Sequence, residues 1–170
     1  GRDKIDAFFT ASDSPPRFSQ SVNQRFLEDM ARQRFNYAFI HYRDPDTAGH
    51  ALSWGSAGWS YAVHNADAYL GEIFKLIDGD EKLAGRTAII LTTDHGGVGF
   101  GHSDATNAED FRIPVMVWGA GVGRGDLYAI NRETRTDPGN EHVDYTAKGQ
   151  PIRNGDTGNL ALSLLGLGPI

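Results

Sequence analysis

Ala88-Ile89-Ile90-Leu91-Thr92-Thr93-Asp94-His95-Gly96-Gly97 is the stretch on which the reading of this chain turns. The apolar run predicts a buried strand over 87–92. Asp94 and His95 then stand at its C-terminal end, the edge at which open α/β sheets bind ligands. Successive side chains of a strand point to opposite faces, so this acid and this imidazole can meet one ion only through an irregular turn. Gly96-Gly97 permit that turn. A surface turn with two polar residues is the alternative use of the same stretch.

Working outward, two further segments bring similar chemistry to predicted strand ends. Asn36–Tyr42 reads as a buried strand, and Arg43–His50 as the polar turn after it. Asp46 and His50 are four residues apart. If the turn runs into a helix, they share one face and can reach one ion. A carboxylate with an imidazole suits Zn²⁺ or Mn²⁺ better than Ca²⁺, which prefers oxygen alone. The competing use is Asp46 as a helix cap and His50 as a half-buried side chain. His102 lies in Gly99-Phe100-Gly101-His102-Ser103-Asp104, before a third apolar run, Ile113–Trp118. One ion could take Asp46, His50 and His102 and keep positions open for water or substrate. A second could take Asp94 and His95, and then needs at least one more carboxylate or hydroxyl from outside this set.

Ser12-Asp13-Ser14-Pro15-Pro16 predicts a loop, and Val22, Phe26, Leu27 and Met30 an amphipathic helix over 19–34. Trp59, Val63, Ala66, Leu70, Ile73 and Ile77 form a stripe on a long helix of about five turns, facing a sheet and ended by Asp78-Gly79-Asp80. Residues 121–155 are a long polar excursion, a functional loop or a disordered one. Asp156 is placed to cap a last helix with Leu160, Leu164 and Leu165, stopped by Gly166. The expectation is a single α/β domain over 1–170 with a mostly parallel sheet flanked by helices. Only three strands are predicted, which points to an incomplete part of a larger domain, as does the abrupt start at Gly1-Arg2-Asp3-Lys4. Asp44 reads as a turn residue, and His41 and His64 as packing or hydrogen-bonding side chains. Trp54 and Trp59 read as core, and Arg124, Arg132, Arg135 and Arg153 as solvated.

Composition excludes several classes. The 170 residues carry a net charge of -6, which argues against a general nucleic-acid or anionic-membrane binder. With no cysteine, disulfides and thiolate zinc sites are out. No stretch approaches the roughly 20 apolar residues of a membrane helix. At 39% hydrophobic and 22% charged, the chain has the make-up of an ordinary globular protein able to bury a sizeable core.

Pro45-Asp46-Thr47-Ala48-Gly49-His50, then Thr93-Asp94-His95-Gly96, then His102 ahead of Arg112–Gly119, resemble the C-terminal half of the alkaline phosphatase superfamily. The branch they are most similar to is the type I phosphodiesterases and nucleotide pyrophosphatases, with P-D-x-x-G-H followed by S/T-D-H-G. The resemblance implies an alkaline-phosphatase-like fold and a two-metal phosphoric ester hydrolase, with two divalent ions, zinc or manganese. Asp46, His50 and His102 would hold one ion, and Asp94 and His95 part of the other. An Asp and a Ser or Thr nucleophile would come from an N-terminal half that is missing here, so the chain alone is expected to be inactive. Thr47, Ser53, Ser56 and Ser103 do not match the nucleophile position. His102 lies closer to the Asp-His pair than the superfamily's third histidine does, which leaves His142 as a substitute; His102 is preferred because it precedes a strand. The implied partners are a small phosphate ester substrate and the missing half. Gln150–Asp156 before Asn159-Leu160-Ala161-Leu162 resembles the tail of secreted bacterial members, so a secreted or periplasmic location is expected. The alternatives are an enzyme like cofactor-independent phosphoglycerate mutase, or a metal-binding or partner-binding fragment without turnover.

Overall fold

A computed structural model describes residues 5–12 and 17–170; the loop predicted at Pro15-Pro16 falls outside them. The chain forms two compact units. One runs to Asp80 and includes Gly99–Gly101, and the other comprises Glu81–Val98 and His102–Ile170.

The first unit is helical among its described residues. α1 (Phe18–Arg32), α2 (Asp44–Leu52) and α3 (Ala57–Gly79) follow in order. α1 and α3 stand close to where periodicity puts them. α3 starts where the Ser56 hydroxyl accepts from the Trp59 amide, a side-chain cap at 3.2 Å. Met30, Ala62, Ile73 and Ile77 are the buried apolar side chains of these helices. Trp54 packs on α2, its indole lying within 2.6 Å of where a Cβ on Gly49 would stand, so the expected packing role holds.

Two expectations are corrected here. Asn36–Tyr42 is not a strand: it has no ladder partner among the described residues, and Tyr37 and Phe39 are exposed. An extended apolar run becomes a strand only when another edge satisfies its backbone. The polar turn expected at 43–50 is instead α2 itself. Pro45 sits in its first turn, where a missing N–H costs nothing.

The second unit holds β1 (Ala88–Thr92), α4 (Ala108–Phe111), β2 (Val115–Gly119), α5 (Leu127–Ile130) and α6 (Asp156–Leu164). In place of the expected mostly parallel sheet, β1 and β2 pair antiparallel, Ala88 opposite Gly119 and Thr92 opposite Val115. The connection between them carries only the four-residue α4, not the long crossover helix of a parallel unit. β2 starts after Pro114, which has no N–H for a ladder. Directly paired residues share a face, so Leu91, Met116 and Trp118 expose one apolar side of the sheet.

The polar excursion is ordered by side chains. Arg153 donates to the Val143 carbonyl at 2.9 Å and lies 4.0 Å over the Tyr145 ring, so it is not simply solvated. Asp156 does not cap α6 as expected. It is the helix's first residue, and its carboxylate accepts from the Arg153 amide and pairs with Arg135. Among the described residues, buried apolar side chains are few: Leu83 in this unit, and Ala11 with the four above in the first. The sizeable core expected from composition is therefore not what these residues form. No helix among the described residues is long and apolar enough to cross a membrane.

Ser53, directly after α2, has φ 77 and ψ 138, a conformation natural to glycine. Relieving that strain outweighs the entropy a glycine adds to the unfolded chain. Ser53→Gly is expected to stabilise the chain by about 1 kcal/mol, read as a higher urea midpoint. An unchanged or lower midpoint would show that the serine side chain contributes more than the strain costs.

Candidate metal centre

In the first unit, α2 supplies Asp46 and His50. The helix puts both on one face, with His50 Nε2 at 3.4 Å from Asp46 Oδ1. His50 Nδ1 is 2.9 Å from the Phe100 carbonyl oxygen. A carbonyl can only accept, so Nδ1 carries the hydrogen and Nε2 is the atom turned to Asp46. The ring also meets Trp54 edge-on, with centroids 5.0 Å apart. The strap that supplies the Phe100 carbonyl is itself held, because the Trp54 amide donates to Gly99 at 2.7 Å. His50 is thus fixed by the chain from both sides of its ring.

In the second unit, the Thr93–Gly97 turn repeats the arrangement. His95 Nδ1 is 2.8 Å from the Gly96 carbonyl oxygen, so it too is the protonated nitrogen. His95 Nε2 lies 3.6 Å from Asp94 Oδ2. The backbone needed to turn sharply for these neighbours to meet, and it does so by pressing on α4. The Gly96 amide donates to the Asp110 carbonyl and the Gly97 amide to the Glu109 carbonyl, each at 2.7 Å. A Cβ on Gly96 would stand 2.0 Å from the Glu109 oxygen, so only glycine fits there.

His102 stacks on His95, with ring centroids 3.6 Å apart and planes 12° from parallel. Its loop is anchored by Asp110, a buried residue whose Oδ2 accepts from the Asp104 amide at 2.9 Å. Hydrogen bonds from the Thr106 hydroxyl and amide hold the Asp104 carboxyl below its usual pKa range. His142 instead meets Phe111 edge-on at 5.1 Å, and His64 Nδ1 bonds the Ser60 carbonyl. His41 sits edge-on to Phe39.

Both Asp–His pairs have a spacing with a chemical meaning. An imidazole nitrogen facing a carboxylate oxygen at this spacing is satisfied by a proton or a metal ion between the two. A tetrahedral zinc with bonds of about 2.0–2.1 Å separates its ligand atoms by about 3.4 Å. Imidazoles that bind metal through one nitrogen donate the other N–H to a carbonyl or carboxylate, as His50 and His95 both do. The donor set therefore fits a zinc-class ion at each pair. Sequence reasoning missed two contributors, the Phe100 carbonyl and the buried Asp44 before Asp46. A backbone oxygen has no signature in residue types, and an acid before proline reads as a turn.

Comparison with known proteins places these residues in context. Residues 4–151 match the family described as type I phosphodiesterase / nucleotide pyrophosphatase. The chain is 28% identical over 154 residues to GPI ethanolamine phosphate transferase 1 of Yarrowia lipolytica, covering 88% of this chain and 16% of that protein. It is 32% identical over 123 residues to the Mus musculus protein of the same name, covering 71% of this chain and 12% of that one. With the Candida glabrata protein it shares 33% over 110 residues, 63% of this chain and 12% of the relative. The chain thus spans less than a fifth of each of these relatives. No solved structure gives a significant match. The matches correct the secreted or periplasmic location: the relatives are GPI ethanolamine phosphate transferases of fungi and mouse, not secreted bacterial proteins.

Gly96→Ala is expected to cost about 2–3 kcal/mol, because the Glu109 carbonyl cannot vacate the space without breaking its hydrogen bond to Gly97. Amide hydrogen exchange at Gly96 and Gly97 should accelerate. Parent-like protection in the variant would contradict the close approach.

Proposed function

The chain belongs to the type I phosphodiesterase / nucleotide pyrophosphatase family, and from that premise we propose that it is the metal-binding portion of an enzyme that transfers a phosphate-linked group. In this reading Asp46, His50 and His102 hold one divalent ion, and Asp94 and His95 contribute to a second, zinc being preferred over manganese. The carrying observation is the repeated Nε2-to-carboxylate spacing, with each Nδ1 hydrogen committed to a backbone carbonyl. The superfamily's metal dependence agrees with it. Two such ions, when bound, supply fixed positive charge to the attacking and leaving oxygens of an in-line displacement.

The protein's own part is to hold those charges still. His50 and His95 keep a hydrogen on Nδ1 and present Nε2, so neither ring can rotate without breaking a bond to backbone. Asp46 and Asp94 each lower the net charge of a bound cation and limit its attraction for other anions. The relatives' name favours an ethanolamine phosphate group as the transferred unit and a GPI acceptor over water, which turns the expected hydrolase into a transferase. The nucleophile and the remaining ligands of the second ion are proposed to lie outside these 170 residues. The far greater length of the relatives supports this, and so does the exposed apolar face of the two-stranded sheet.

Metal analysis of the purified chain should find zinc or manganese, reduced in His50→Ala and in His102→Ala. Equal metal in parent and variants would sink the ligand assignment. The whole protein, given a phosphodiester carrying ethanolamine, should form acceptor-linked product faster than free ethanolamine phosphate, and His50→Ala should lower that rate at least a hundredfold. Free ethanolamine phosphate as the dominant product would return the reading to a hydrolase.

A further inference from the structure

Helices α1 and α2 start without caps of their own. Arg17 and Arg43 occupy the cap positions, and neither side chain bonds a first-turn amide. Each helix nevertheless has a first-turn N–H satisfied by the other. The Ser19 amide donates to Asp44 Oδ2 at 3.0 Å, and the Asp44 amide donates to Ser19 Oγ at 3.1 Å. This is the reciprocity of a capping box, built between two helices instead of within one. Asp44 also places a carboxylate at the start of α1, a helix with no acid in its own first turn. Ser19 is 1% exposed and Asp44 7%, so water does not compete for either bond.

A second attachment lies beside the first. Asn23, one turn along α1 and also 1% exposed, accepts from the Tyr42 hydroxyl and donates to Glu72 on α3, both at 2.6 Å. Burial, with Glu72 nearby, pushes the Tyr42 phenol above its ordinary range, so it remains a donor. Tyr42 and Asp44 are therefore both fixed to α1 immediately before Asp46. A nine-residue helix has little stability of its own, so where it starts and how it is rotated must be imposed from outside.

We propose that the Ser19–Asp44 clasp is a positioning device that sets which way the Asp46–His50 face of α2 points. It rests on the metal reading above. Neither residue touches the ion; both act through the first turn of α2. The helix itself sets the spacing within the pair; the axial rotation of α2 decides whether His50 Nδ1 meets the Phe100 carbonyl that orients the ring, and the clasp fixes that rotation two residues from Asp46.

The test uses cobalt(II) as a spectroscopic probe in the full chain. Ser19→Ala is expected to weaken cobalt binding about tenfold, the lower end for loss of an outer-shell partner, and to alter the visible absorption of the bound ion. Far-ultraviolet circular dichroism should show the helices intact at the assay temperature. Ser19→Thr, which keeps the hydroxyl, should restore both affinity and spectrum. Met30→Ala, which removes core volume away from the clasp, should lower the melting temperature and leave both unchanged. A parent chain that binds cobalt with Ser19→Ala indistinguishable from it would overturn the clasp alone. Equal weakening by Met30→Ala would also overturn it, by reducing it to general stability. A parent chain that binds no cobalt would overturn the metal reading and the clasp with it.

Discussion

The hydrogen bond from His50 Nδ1 to the Phe100 carbonyl is the constraint on which the site depends. It chooses the tautomer, and with it the atom that faces Asp46. Without it the imidazole could place hydrogen on either nitrogen, and the pair would be an ordinary surface contact worth little. The bond in turn requires the strap at Gly99–Gly101, which Trp54 holds through its amide. Trp54 requires Gly49, because any side chain there would occupy the space of the indole. His50 is thus supported by residues spread over fifty positions of sequence. Several of them act through backbone atoms or through the absence of a side chain.

The two Asp–His pairs reach the same arrangement by different local routes. On α2 the helix does the work: four residues make one turn, and the side chains meet on its face. After β1 the residues are adjacent, and the chain must fold back sharply to bring them together. That is why the second pair needs Gly96 against the Glu109 carbonyl and the first does not. Repetition of the same donor pattern in two different backbone settings is what supports the proposed reading of each as a ligand pair.

Much of this was legible in residue types. The α3 stripe follows from 3.6-residue periodicity, and β1 from its apolar run before Asp94. The closeness of Asp46 and His50 follows from their helical spacing. What was not legible depended on partners distant in sequence. Asn36–Tyr42 has strand composition but no paired edge among the described residues. Ile113–Trp118 gave a strand without its direction, and direction is set by how the chain returns to β1. Asp44 looked like a turn residue because nothing local reveals that Ser19 waits to bond it. Ser19 and Asn23, the most deeply buried side chains among the described residues, are polar, and hydropathy patterns do not find a polar core.

The central claim is that carboxylate and imidazole jointly bind a metal ion here. Zinc K-edge X-ray absorption on the zinc-loaded chain tests it directly. The expected spectrum has a low-coordinate nitrogen and oxygen shell at about 2.0–2.1 Å with outer-shell scattering from histidine rings, the latter diminished in His50→Ala. A six-oxygen shell without ring scattering, identical in parent and variant, would contradict it.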